Sequence, residues 1–151
     1  MKISARVENS QGQHKVTLTT NDNSHSIVIP QKPNGLGSSA NGGELLFLAL
    51  ATCYCNDIYR EAAKRSIKVE KIEVEVSGDF GAEGEGAKNV AYNVKIHAQG
   101  TKEEIQELVE HTDKVAEIQN TLRAGTSVIL AIREIHCTKR QYKFKLPWHL
   151  K

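Results

Sequence analysis

Between Val69 and Val76 the chain reads Val-Glu-Lys-Ile-Glu-Val-Glu-Val, and between Asn89 and Ala98 Val90, Tyr92, Val94 and Ile96 again fall on every second position. A period of two sends these side chains to one face and the charged ones to the other, so both stretches predict half-buried strands. The link between them, GDFGAEGEGAK, is glycine-rich and predicts a flexible hairpin connection; no helix follows it directly, which argues against a phosphate cradle. Shorter β-like runs at Lys2 to Val7, Lys15 to Thr20 and Ser26 to Ile29 are separated by Asn, Gly, Gln and Asp clusters suited to tight turns. They predict an N-terminal three-stranded meander.

The period changes in the middle of the chain. Glu44 to about Arg65, ELLFLALATCYCNDIYREAAKR, predicts a helix with an acidic first turn and Lys64 and Arg65 in its last, matching the helix dipole. Leu45 to Ala51 is apolar on every side, the pattern of a segment inside a core or a subunit interface, whereas the second half is amphipathic. Before it, Gln31 to Gly43 is rich in Gly, Ser and Asn and predicts a long loop able to wrap closely around a site. Thr101 and Glu104 form a capping box ahead of a helix over 102–111, and a further helix is expected over 112–123. Ala124-Gly125 ends it, and Thr126 to His136, rich in Val and Ile, predicts a closing strand.

Length and composition narrow the class. With 151 residues, of which 39% are hydrophobic, the chain is expected to fold as a single domain over 1–151. A net charge of +2, from 20 Lys and Arg against 18 Asp and Glu, points to neither nucleic acid nor an acidic substrate. The tail from Thr138 to Lys151 does interleave Lys and Arg with Tyr142, Phe144 and Trp148, a mixture that can bind nucleic acid; it is short and the rest of the chain is not basic, so packing against the body with a solvated charged face is the reading preferred. No stretch has the roughly 18 apolar residues that would span a bilayer, and the N-terminus has no signal-peptide core. The expectation is a cytoplasmic protein without membrane partners.

Cys53, Cys55 and Cys137 are three in number and include no CxxC spacing, which argues against a disulfide framework. On the long helix, the face of Cys53 includes Leu46, Ala49 and Leu50 to one side and Asn56, Asp57 and Arg60 to the other. A thiol at that apolar-to-polar boundary, close to the Arg60 guanidinium, is placed to form a thiolate. Cys55 is about 200° further round, with Leu48, Ala51, Tyr59 and Ala62, and reads as core. The two thiols point apart and no His stands within a turn or two, so no metal site is expected; the six His residues show neither HxxxH nor HExxH spacing. No cofactor is indicated.

Asn41-Gly42-Gly43-Glu44-Leu45-Leu46, leading through Ala49-Leu50-Ala51-Thr52 to Cys53, resembles the motif of the OsmC/Ohr family, in which Asn-Pro-x-Glu-Leu-Leu and a run of small residues precede a reactive Cys. Tyr59-Arg60 and the strand VEKIEVEVSGD extend the likeness, which covers roughly residues 31–135. The resemblance implies an α+β, OsmC-like fold: an intertwined homodimer whose central long helices are wrapped by curved antiparallel sheets, with active sites at the interface. It also implies peroxiredoxin-like chemistry in oxidative-stress defence. There a thiolate attacks an organic hydroperoxide or hydrogen peroxide, and a second Cys resolves the sulfenic acid. An Arg and a Glu near the first Cys lower its pKa and polarise the peroxide.

The chain departs from that pattern at three places. The second Cys of the family falls on Ala116, so an external thiol must act as reductant. The acidic residue usually ten positions before the reactive Cys falls on Gly43, with Glu44 next to it; nine residues before Cys53, Glu44 would lie about 13 Å along the axis and on the opposite side. Neither Asn9-Ser10-Gln11-Gly12 nor Lys32-Pro33-Asn34-Gly35 supplies the activating Arg, which leaves Arg6 and Arg60 as candidates. The sequence therefore nominates Cys53, Glu44 and Arg60 for hydroperoxide reduction. The alternative is a non-catalytic dimer that binds an apolar small molecule in a pocket lined by Leu46, Leu50 and the Gly-rich loop.

Overall fold

A computed structural model describes residues 1–131 and 136. Three strands come first: β1 (Ile3–Ser10), β2 (Gln13–Thr20) and β3 (Asn23–Ile27) pair antiparallel in the order β1-β2-β3, as the meander pattern predicts. Most of its side chains are exposed; Val16 is the one residue of these strands that is fully buried. The Gly-rich loop folds back on the β1–β2 turn. Gly12 N donates to the Gly35 carbonyl at 3.2 Å, Gln11 Nε2 to the Asn34 carbonyl at 3.1 Å, and Gly37 N to Asn9 Oδ1 at 3.0 Å. Gly35 adopts φ 77°, a backbone conformation that other residues rarely take, so the turn favours glycine.

The long helix α1 (Gly42–Lys64) begins two residues before Glu44. Asn41 is its N-cap, its Oδ1 accepting from Glu44 N at 2.9 Å while Glu44 Oε2 accepts from Asn41 N at 2.7 Å. This capping box fixes where the loop stops and the helix starts. Strands β4 (Val69–Phe80) and β5 (Ala87–Ala98) form an antiparallel hairpin longer at both inner ends than the alternation alone indicated. Its inner face, with Ile72, Val74, Tyr92, Val94 and Ile96, packs on a core of Tyr54, Ile58, Ala62 and Leu108. Burying such aliphatic and aromatic side chains is worth roughly 1.5–3 kcal/mol each and holds α1 to the sheet.

The capping box at Thr101 and Glu104 forms as expected and opens α2 (Lys102–Val115), which continues four residues past 111. Ala116 breaks it in an extended conformation, and α3 (Glu117–Arg123) follows. The expected closing strand over 126–136 is corrected where it is described: residues 126–131 carry no regular structure, and Val128, Ile129 and Leu130 are almost wholly exposed. A β-prone run becomes a strand only beside another strand, and none pairs with it among the described residues. Residues 132–135, Cys137 and the basic-aromatic tail lie outside the described residues. No helix among the described residues is long and apolar enough to cross a membrane.

Candidate functional site

Cys53 stands midway along α1, half-buried, where the helix meets the start of α3. Four residues on, and so on the same face, Asp57 is buried and its Oδ2 accepts from Cys53 Sγ at 3.3 Å. Glu117, the first residue of α3, brings Oε2 to 4.0 Å of the same sulfur. The outer oxygens of both carboxylates are held by one guanidinium: Arg60 Nη1 lies 2.8 Å from Asp57 Oδ1 and 3.2 Å from Glu117 Oε1, while its Nε donates to Glu61 at 3.0 Å. Arg60 thus stands beside the two carboxylates, and it reaches the sulfur only through them.

That arrangement sets the charge state. Burial pushes the Cys53 thiol above its ordinary value, and the hydrogen bond to Asp57 and the negative charges of Asp57 and Glu117 push the same way; the Ile118 backbone amide, donating to the sulfur, opposes them. The resting thiol is therefore protonated at neutral pH, where simple proximity to Arg60 suggested a thiolate. Asp57 is itself raised, chiefly by burial. Arg60 offsets part of the cost of two carboxylates so close together. Cys53, Asp57 and Glu117 could also hold a divalent cation, since their ligand atoms lie within 4.8 Å of one another. Spacing within α1 could not reveal this set, because Glu117 is 64 residues away in sequence.

Glu44 is not brought to Cys53. Its carboxylate is engaged in the capping box at the start of α1. The neighbouring Gly43 is closed by an aromatic side chain: a Cβ there would stand 2.6 and 2.9 Å from two Phe80 ring carbons. Phe80 in turn packs against Phe47, ring centroids 5.8 Å apart. Arg6, exposed on β1, faces Glu8 at 3.9 Å. Ala116 is fully buried at the α2–α3 break, one residue before the Glu117 that reaches the sulfur. Cys55 is half-buried, its thiol raised by burial alone.

Leu46 and Leu50 line a cavity of about 450 Å³, but its other walls are β5 and α3, through Val90, Tyr92, Gln119 and Leu122, and the Gly-rich loop takes no part. At its edge Arg123 Nη2 lies 2.5 Å from Asp113 Oδ1, which also accepts from the Tyr92 hydroxyl. Burial and that carboxylate push Tyr92 up to about 12.

The family model for OsmC-like protein matches residues 35–131, which is more than half of the chain and takes in α1, the β4–β5 hairpin, α2 and α3. The chain belongs to the OsmC family. Solved OsmC-family structures share its fold. The OsmC-like protein of Mycoplasma pneumoniae superposes with a TM-score of 0.59 at 19% identity, covering 82% of this chain and 87% of its own. An OsmC-like hydroperoxide resistance protein from Jannaschia gives 0.52 at 16%, covering 90% and 93%. The organic hydroperoxide resistance protein OhrB of Bacillus subtilis gives 0.50 at 18%, covering 83% and 93%. No curated protein sequence matches the chain. In this chain the α1 cysteine faces the α2–α3 junction, where Glu117 of α3 brings Oε2 to 4.0 Å of the sulfur.

Proposed function

We propose that this OsmC-family chain is a one-cysteine thiol peroxidase of the cytoplasm, active as a homodimer, in which Cys53 reduces organic hydroperoxides or hydrogen peroxide. The observation behind this reading is the position of the sulfur: half-buried at the α2–α3 junction, with the Ile118 amide directed at it and Arg60 one carboxylate away. The Cys53 thiolate attacks one peroxide oxygen, the O–O bond breaks, and the departing alkoxide takes a proton and leaves as an alcohol or as water. Cys53 becomes a sulfenic acid. Ala116 cannot resolve it, so an external dithiol attacks the sulfenic sulfur, water leaves, and the second thiol of the reductant displaces Cys53 as it closes its own disulfide. Arg60 is a positioning residue that lessens the negative field of Asp57 and Glu117 as the thiolate forms.

The test is consumption of cumene hydroperoxide with dithiothreitol as reductant. The parent and Cys55→Ser should turn over, while Cys53→Ser should fall to background. A Cys53→Ser protein as fast as the parent would overturn the proposal. A second reading, an apolar-ligand-binding protein, is favoured by the 450 Å³ cavity beside Leu46 and Leu50, a volume within the range of roughly 300–1,000 Å³ typical of small-molecule sites.

A further inference from the structure

Reduction of a hydroperoxide by a protonated thiol leaves one proton to be moved. The oxygen that joins the sulfur keeps its own hydrogen and becomes the sulfenic acid hydroxyl, so the thiol proton has to reach the departing alkoxide. An alkoxide is a strong base and leaves slowly unless a positioned acid supplies that proton. Asp57 is placed to take it and return it. Its Oδ2 accepts from Cys53 Sγ at 3.3 Å, so the thiol hydrogen already points along the path of transfer. Its other oxygen, Oδ1, is held by Arg60 Nη1 at 2.8 Å, which keeps Oδ2 turned towards the sulfur. The groups around it serve less well. Glu117 Oε2 stands further off, at 4.0 Å, and its side chain is exposed. Burial raises the proton affinity of Asp57, whereas Glu117 is held low chiefly by a hydrogen bond from its own backbone amide. Arg60 is always protonated and cannot accept.

Resting on the peroxidase reading above, we infer that Asp57 is a catalytic residue, the base that receives the Cys53 proton and the acid that delivers it to the departing oxygen. As the proton passes to Oδ2, the sulfur attacks the terminal oxygen of the hydroperoxide and the S–O bond forms. The O–O bond breaks with its electron pair on the alkoxide oxygen, and Asp57 returns the proton there. Sulfur is oxidised, the peroxide is reduced to an alcohol, and Asp57 ends as the carboxylate it was. The carboxylate that holds back the thiolate in the resting protein is thus the one the reaction needs.

Leaving groups separate this role from simple electrostatics. Cumene hydroperoxide expels a basic alkoxide that needs the proton, whereas peracetic acid expels acetate, which does not. Iodoacetamide expels iodide and reports the supply of thiolate alone. Sulfenic acid formation at Cys53 is timed in single turnovers without reductant, for the full-length parent and Asp57→Asn, and each rate is divided by the rate of Cys53 alkylation by iodoacetamide. Asn can donate a hydrogen bond but holds no transferable proton, so with cumene hydroperoxide the ratio should fall on the order of a hundredfold. With peracetic acid it should stay within about threefold of the parent. An equal change with the two oxidants would overturn the assignment of Asp57 and leave the peroxidase standing. No sulfenic acid at Cys53 of the parent from either oxidant would overturn both. Should Asp57→Asn fail to fold, the parent alone decides: heavy water should slow its reaction with cumene hydroperoxide more than that with peracetic acid, and equal isotope effects would overturn the assignment.

Discussion

Cys53 shares its surroundings with two carboxylates and a guanidinium, and the carboxylates are nearer. Asp57→Asn removes a negative charge 3.3 Å from the sulfur and offers a donor in its place. The pH midpoint for alkylation of Cys53 by iodoacetamide should then fall from a parent value above that of an ordinary thiol, with faster labelling at pH 7. An unchanged or raised midpoint would contradict the electrostatics. Because the parent thiol is raised, its peroxide reduction should accelerate as pH increases through the thiol titration. Glu44 behaves differently. Its work is to cap α1, and Gln serves equally well in a capping box, so Glu44→Gln should leave the peroxide rate within about twofold, whereas Asn41→Ala should cost about 1 kcal/mol of stability. The face shared by Cys53, Asp57 and Arg60 was legible from helical spacing. The charge state was not, since it depends on Glu117 arriving from another helix.

The second half of α1 is fastened through Glu61. This side chain is 4% exposed, with Lys64 Nζ at 2.7 Å, Arg60 Nε at 3.0 Å and His111 Nε2 at 3.3 Å. The hydrogen bonds from Lys64 and then Arg60 hold its carboxyl down at about 2, below its usual value of 4.5. A folded value below the unfolded one means that the stabilisation is complete above about pH 4.5 and is lost as pH falls towards 2. Urea midpoints measured across that window should decline in the parent and decline less steeply in Glu61→Gln; parallel curves would contradict the assignment. The helices and the β4–β5 hairpin were readable because period and caps agree along each of them. The α2–α3 break at Ala116 was not, because alanine carries no stop signal and the extended conformation there is imposed by packing.

Taken as a single chain, the molecule leaves much apolar surface bare. Leu48 and Tyr59, three helical turns apart on one side of α1, are 59% and 49% exposed, and Val128, Ile129 and Leu130 are barer still. The all-round apolar pattern of Leu45 to Ala51 suits a core or a subunit interface, and within one chain Leu48 of that run stays exposed. Leu48→Asp and Tyr59→Glu should each shift the protein towards monomer at micromolar concentration in analytical ultracentrifugation, given that burying a side chain of this kind contributes roughly 1.5–3 kcal/mol. A parent protein already monodisperse as a monomer would exclude the dimer. The chemistry proposed for the whole molecule is tested most directly by mapping sulfenic acid after a short exposure to cumene hydroperoxide, using a dimedone-type probe and mass spectrometry of every cysteine-containing peptide. Labelling should appear first at Cys53 and rise with pH, with Cys55 and Cys137 following only at higher peroxide. Equal or earlier labelling of Cys55 or Cys137, or none at Cys53, would contradict the assignment of Cys53 as the reactive thiol.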